Sequence, residues 1–213
     1  QQGGWEIDDV SIAENPASAT PYPFITTFDQ ETDFTANWIT TNKGKEFVWT
    51  VADGHNGSGA IYLYPPQNII GTITGVNVSH SLVMAKPMDL TGSVNPQLSF
   101  WHKYRTQANS SGYYVYISVD GGRNWISRGQ WNRSNTPDGT QSDWRRAQID
   151  LAPYANSQNV LVMFQYYNNE WWTDDYDDAY WFIDDLAVTN GPRDVTLAIP
   201  TLTSGDTQHS ATL

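Results

Sequence analysis

Asp184 and Asp185 stand side by side in the run Tyr180-Trp181-Phe182-Ile183-Asp184-Asp185-Leu186-Ala187-Val188. If this run is a strand, successive side chains point to opposite faces. Asp184 then shares a face with Phe182, Leu186 and Val188, and Asp185 shares one with Ile183 and Ala187. At least one carboxylate therefore points toward an apolar interior. A buried, unpaired carboxylate is costly and needs a cation or several hydrogen-bond donors. Lys and Arg number 11 against 23 Asp and Glu, so a metal ion is a readier partner than a salt bridge. Ca2+ suits such a place, because it takes about six to eight oxygen ligands from carboxylates and carbonyls. The alternative is a hydrogen-bonded pair at a strand end that caps neighbouring turns.

A second cluster is Trp171-Trp172-Thr173-Asp174-Asp175-Tyr176-Asp177-Asp178-Ala179-Tyr180. Its carboxylates repel one another unless they are solvated or bound to metal. Aromatic rings beside polar groups are how lectin-like surfaces grip sugars, and Trp and Tyr are the anchors of protein interfaces. Trp171, Trp172, Asp174, Asp175, Tyr176, Asp177, Asp178 and Tyr180 are therefore candidate ligand-binding residues, with Trp131 and Trp144 as possible additions. A second calcium site, or rings packed over a sheet edge with the acids in solvent, are the competing readings.

Ser118-Val119-Asp120-Gly121-Gly122-Arg123-Asn124-Trp125 fits S-x-D-x-G-x-x-W, the Asp-box hairpin of sialidase-like propellers. Propellers repeat that motif and this chain has it once, so it is expected to be a structural hairpin. Catalytic patterns are missing. The histidines at 55, 80, 102 and 209 form no H-E-x-x-H pair. There is no G-x-S-x-G elbow, no E-x-D-x-x-E strand of the jelly-roll glycosidase kind, and no cysteine. His102 alternates with Phe100 and Tyr104 and is expected to be packed. No catalytic role is expected for the chain.

These residues must be positioned by strands. Leu98, Phe100, His102 and Tyr104 alternate with Ser99, Trp101 and Lys103; Tyr113, Val115, Ile117 and Val119 alternate with Tyr114, Tyr116 and Ser118. Val160 to Tyr166 is apolar on both faces and is expected to be a central strand. Further strands are expected over 24–28, 46–51, 59–64, 68–74, 80–84, 124–131, 144–150 and 180–189, and no segment shows a helical stripe. Turn signals such as Asp53-Gly54, Asn56-Gly57 and Asn95-Pro96 separate them. The pattern predicts an all-β jelly-roll sandwich of two antiparallel sheets.

Composition agrees. The 213 residues hold 10 Trp, 12 Tyr and 7 Phe, and 18 Asp against 5 Glu; Asp favours turns and caps. The net charge of −12 argues against nucleic acid as a partner. No apolar run approaches the ~20 residues of a membrane span, so membrane insertion is not expected.

The opening Trp5-Glu6-Ile7-Asp8-Asp9-Val10-Ser11-Ile12 shares W-x-I-D-D-[VL]-x-[IV] with residues 181–188. Residues 1–12 are accordingly expected to be the closing strand of a preceding module, 13–23 a linker, 24–189 the jelly-roll module, and 190–213 a linker and the start of a following β-domain.

Several motifs in order carry a family resemblance: Phe28-Asp29-Gln30-Glu31, then Trp38; His55-Asn56-Gly57-Ser58-Gly59-Ala60; Pro87-Met88-Asp89-Leu90; Pro96-Gln97-Leu98-Ser99-Phe100-Trp101-His102; the Asp-box segment; Ile149-Asp150-Leu151; and Trp181 to Leu186. Over residues 24–189 the chain resembles the MAM-like jelly-roll modules associated with secreted bacterial peptidases of the immune-inhibitor-A type. The resemblance implies a non-catalytic ancillary domain with a structural calcium. It implies calcium ligands near Asp29 and Glu31 on the first strand and on the Asp53–Ser58 loop, so that Asp29, Glu31, Asp53, Asn56, Ser58, Asp184 and Asp185 form the candidate metal set.

The sequence thus points to an extracellular or cell-surface module that docks on adjacent domains of its own protein or on a surface protein. A carbohydrate-binding module using the 171–180 segment is the alternative, and a structural repeat of an adhesin or filament is a third.

Overall fold

The computed structural model describes residues 19–41, 47–56, 59–63, 78–106, 111–136, 139–168 and 179–191. They form two antiparallel sheets packed face to face, as the alternation predicts. The strands are β1 (Phe24–Thr26), β2 (Trp38–Thr40), β3 (Phe47–Thr50), β4 (Ala60–Leu63), β5 (Val78–Met84), β6 (Pro96–Arg105), β7 (Ser111–Ser118), β8 (Ile126–Asn132), β9 (Thr140–Asp150), β10 (Leu161–Asn168) and β11 (Tyr180–Asn190). The back sheet runs β3-β4-β11-β6-β9, with β1 paired to the C-terminal half of β11. The front sheet runs β2-β5-β10-β7-β8. The expected strand at 68–74 lies outside the described residues.

β10 is the middle strand of the front sheet, which explains its two apolar faces: Val162 and Phe164 face the core, while Leu161 and Met163 face outward yet stay mostly covered. The core is aromatic. Trp181 of the back sheet is fully buried and meets Tyr113 at 4.9 Å, Phe164 at 5.6 Å and Phe47 at 6.3 Å between ring centroids. Its indole N–H donates to Nδ1 of His102 at 3.3 Å. His102 is buried among Phe100, Tyr104 and Trp131, the packed role expected of it.

Two local features were not expected. Residues Glu31–Asn37 form a short helix, α1, none of whose residues is fully buried. Seven residues are too few to display a helical stripe. Glu31 therefore sits in the first turn of α1 and not on the first strand.

The second feature corrects the facing of the last strand. Along β6 the register steps from Asp184↔Trp101 to Ala187↔Ser99, so β11 carries one extra residue. Asp185 takes up that bulge at φ +45°, a left-handed conformation that Asp tolerates better than most side chains. The alternation changes phase there. Trp181 and Ile183 point inward before the bulge, and Leu186 and Val188 point inward after it. Asp184 thus shares its face with Phe182 but not with Leu186 and Val188.

The Asp-box segment is the structural hairpin expected. Ser118 Oγ accepts the Gly122 N–H at 2.8 Å. Asp120 Oδ1 accepts the N–H groups of Arg123 and Asn124 at 3.0 and 2.9 Å. These bonds hold the Asp120 carboxyl down at about 2, the Asn124 backbone N–H being the largest cause. Trp125 packs against the core beside it.

Candidate functional site

The bulge gathers part of the candidate metal set. Asp184 is fully buried; its Oδ2 accepts the backbone N–H of His55 at 2.8 Å and its Oδ1 that of Asp185 at 2.7 Å. Burial pushes its carboxyl up to about 6 against the lowering effect of those two N–H groups. Asp185 Oδ2 accepts the Asn56 side-chain N–H at 2.8 Å and lies 2.7 Å from Nδ1 of His55. The His55 ring stacks on Trp101 at 3.9 Å and meets Trp144 edge-on at 5.6 Å. One turn earlier, Asp53 at φ +71° pairs with Lys103 at 2.5 Å, and the Lys103 ammonium sits over the rings of Phe182 (4.8 Å) and Trp144 (5.2 Å). The 51–56 loop is thereby pinned across the outside of the back sheet.

The other candidates fall elsewhere. Asp29 Oδ2 accepts the Thr27 hydroxyl at 2.7 Å, and Glu31 lies on α1. Ser58 lies outside the described residues. Gly59 packs so tightly that a Cβ there would stand 2.3 Å from the Phe28 carbonyl oxygen, which accepts the Trp49 indole N–H. Among the described residues, no three His, Asp or Glu side chains converge as a metal centre. Backbone N–H donors meet Asp184, and a side-chain amide meets Asp185.

Trp171, Trp172, Asp174, Asp175, Tyr176, Asp177 and Asp178 lie outside the described residues. Tyr180 opens β11 opposite Arg105, its ring edge-on to Phe182 at 5.8 Å. Trp131 packs against Phe100, His102 and Trp181, which turns it inward. Trp144 is engaged beneath His55 and Lys103 on the back sheet.

The front sheet presents a different surface. Tyr113, Val115 and Ile117 are fully buried, so Tyr114 and Tyr116 of the same strand face out. Strand register sets Ser81, Gln165, Tyr114 and Gln130 in one line across four strands. With strands about 4.8 Å apart, that line is roughly 14 Å long. Gln165 Nε2–H donates to Ser81 Oγ at 3.0 Å, and Gln130 Nε2–H to the Tyr114 hydroxyl at 3.4 Å. Tyr116 lies beside the line, its ring 6.0 Å from that of Tyr114 and tilted 30° from it. Tyr167 lies on the other side, opposite Gly112. Desolvation raises the Tyr116 hydroxyl pKa, with Tyr114 and Tyr167 adding to it, so the phenol stays neutral.

Periodicity set Tyr114 and Tyr116 on the face opposite Tyr113, Val115 and Ile117 but did not mark them as a site. The signal that groups them with Gln165 and Ser81 is the register of separate strands, which one strand's pattern does not contain.

No protein-family model matches the chain, and no curated protein sequence matches it. Among solved structures, the K1 cleaved adhesin domain of Lys-gingipain from Porphyromonas gingivalis is similar at TM-score 0.52 and 18% identity, over 81% of this chain and 100% of that one. The K2 cleaved adhesin domain of Lys-gingipain is similar at 0.51 and 19%, over 78% and 98%. CBM27-1 of Caldicellulosiruptor saccharolyticus, solved in complex with mannohexaose, is similar at 0.52 and 11%, over 79% and 97%. The chain therefore shares the β-sandwich fold of adhesin and carbohydrate-binding domains.

Proposed function

We propose that the chain is a non-catalytic, extracellular glycan-binding module of a larger secreted or surface protein. The observation that carries this reading is the contrast between the two outer faces. The back sheet is covered by the 51–56 loop, whose His55 and Asp53 engage Trp101 and Lys103. The front sheet presents Tyr114, Tyr116 and Tyr167 partly exposed beside amide side chains. Aromatic faces with a few placed polar groups are what a sugar-binding surface requires. The fold it shares with adhesin and carbohydrate-binding domains supports the same reading.

The bulge at Asp184 and Asp185 belongs to the scaffold in this reading. Calcium is proposed there as a stabiliser, using the carboxylate lone pairs that the N–H donors leave free. Adjacent domains are proposed as the module's covalent partners, and the peptidase-associated role implied by the MAM-like resemblance would place a catalytic domain among them.

Screening the purified chain on an array of polysaccharides tests the reading. Saturable binding to at least one, with no release of reducing sugar, is expected. Failure to bind any would contradict it.

A further inference from the structure

We infer that the outer face of the front sheet takes a neutral glycan chain lying across the strands, with Tyr114 as its stacking platform. The inference rests on the glycan-binding reading above and deepens it by naming the place and the class of ligand.

The first ground is the pose of Tyr114. Gly112 stands two residues before it on the same face, and a Cβ there would lie 3.1 Å from both Cε2 and the hydroxyl of Tyr114. The ring therefore leans along its own strand over the bare glycine backbone instead of standing away from the sheet. Tyr116, two residues along the same strand, supplies a second ring beside the cross-strand line, 6.0 Å from the first and tilted 30° from it.

The second ground is polar pre-organisation. Gln165 is oriented by Ser81, and the Tyr114 hydroxyl by Gln130. Amide and hydroxyl groups already held in place bind sugar hydroxyls at a smaller ordering cost.

The third ground is charge. The chain carries −12, yet the line Ser81, Gln165, Tyr114, Gln130 and its flanks Tyr116 and Tyr167 hold no carboxylate, ammonium or guanidinium. A uronate or sulfated polymer would find no cation among these six residues and would meet a chain of net charge −12. A neutral glycan loses nothing there.

The test is calorimetric titration of the intact chain with soluble mannan, xylan, galactan and β-glucan as neutral probes and polygalacturonate as the charged one. At least one neutral polymer should bind with an affinity insensitive to salt. Tyr114→Ala and Tyr116→Ala should each weaken that binding about tenfold or more, whereas Trp144→Ala on the back sheet should leave it unchanged. Gly112→Ala, which displaces the Tyr114 ring while keeping its chemistry, should also weaken it. Circular dichroism of each variant confirms the fold. Neutral-glycan binding that survives both tyrosine substitutions overturns this inference and leaves the glycan-binding reading standing. Binding of polygalacturonate alone overturns the neutral class. Binding of none of the probes, nor of any polysaccharide on a broad array, overturns both.

Discussion

His55 Nδ1 lies 2.7 Å from Asp185 Oδ2, joining residues 130 positions apart. The contact fixes a loop to the bulge of the last strand, and with the adjacent bond from the His55 N–H to Asp184 it closes one outer face of the sandwich. The geometry that spends these acids on the scaffold leaves the opposite face for binding.

Asp184→Ala should destabilise the fold. The substitution leaves two backbone N–H groups, those of His55 and Asp185, without their acceptor in a buried place. Such a loss costs about 1–3 kcal/mol per unsatisfied group. Chemical denaturation should show a lower midpoint, and glycan binding by the folded fraction should persist.

Calcium removal gives a second prediction. If the bulge holds an ion, the melting temperature falls on adding EDTA and recovers with excess Ca2+. One site at a hundredfold excess over Kd corresponds to ~3 kcal/mol. A melting curve identical in both conditions would contradict the calcium proposal without touching the binding face.

Burial holds the His102 imidazole neutral, with its pKa lowered to about 3 from the ordinary 6.5. The unfolded chain takes up that proton near 6.5, so below that pH the unfolded state binds more protons than the folded one. Stability is therefore expected to fall as pH drops from about 6.5 toward 3. His102→Gln, which keeps an acceptor for the Trp181 N–H, should flatten this slope in denaturation measured across that range. An unchanged slope would exclude His102 as its source.

Ser118→Ala should loosen the β7–β8 hairpin. The fully buried hydroxyl accepts the Gly122 N–H and donates to Asp120. Its loss should cost about 1–2 kcal/mol, read as a drop of roughly 2–8 °C in Tm by scanning calorimetry.

Much of this fold was legible in the sequence because strand alternation is a local property. Phe100 and Tyr104 against Trp101 and Lys103, or the two-sided apolar run of β10, place themselves by pattern alone. The bulge was also written in the sequence: Ile183 and Leu186 are three apart where a regular strand would space inward residues by two. Reading the strand as regular put Asp184 on the face of Leu186. The partnership of Asp184 and Asp185 with the 53–56 loop followed from the family resemblance, but the hydrogen-bond donors that satisfy Asp184 did not, because a backbone N–H has no signature in a side-chain sequence. Glu31 was misplaced because the helix that holds it is too short to show a period. The tyrosine face needed the register of four strands, which arises only when they pair.

The most direct test of the account is a two-dimensional NMR titration of the labelled chain with a short oligosaccharide cut from the neutral polymer that binds most tightly. Shift changes should concentrate at Ser81, Tyr114, Tyr116, Gln130, Gln165 and Tyr167. Changes confined to Trp101, Trp144 and Phe182 on the back sheet, or to the neighbourhood of Tyr180, would contradict it.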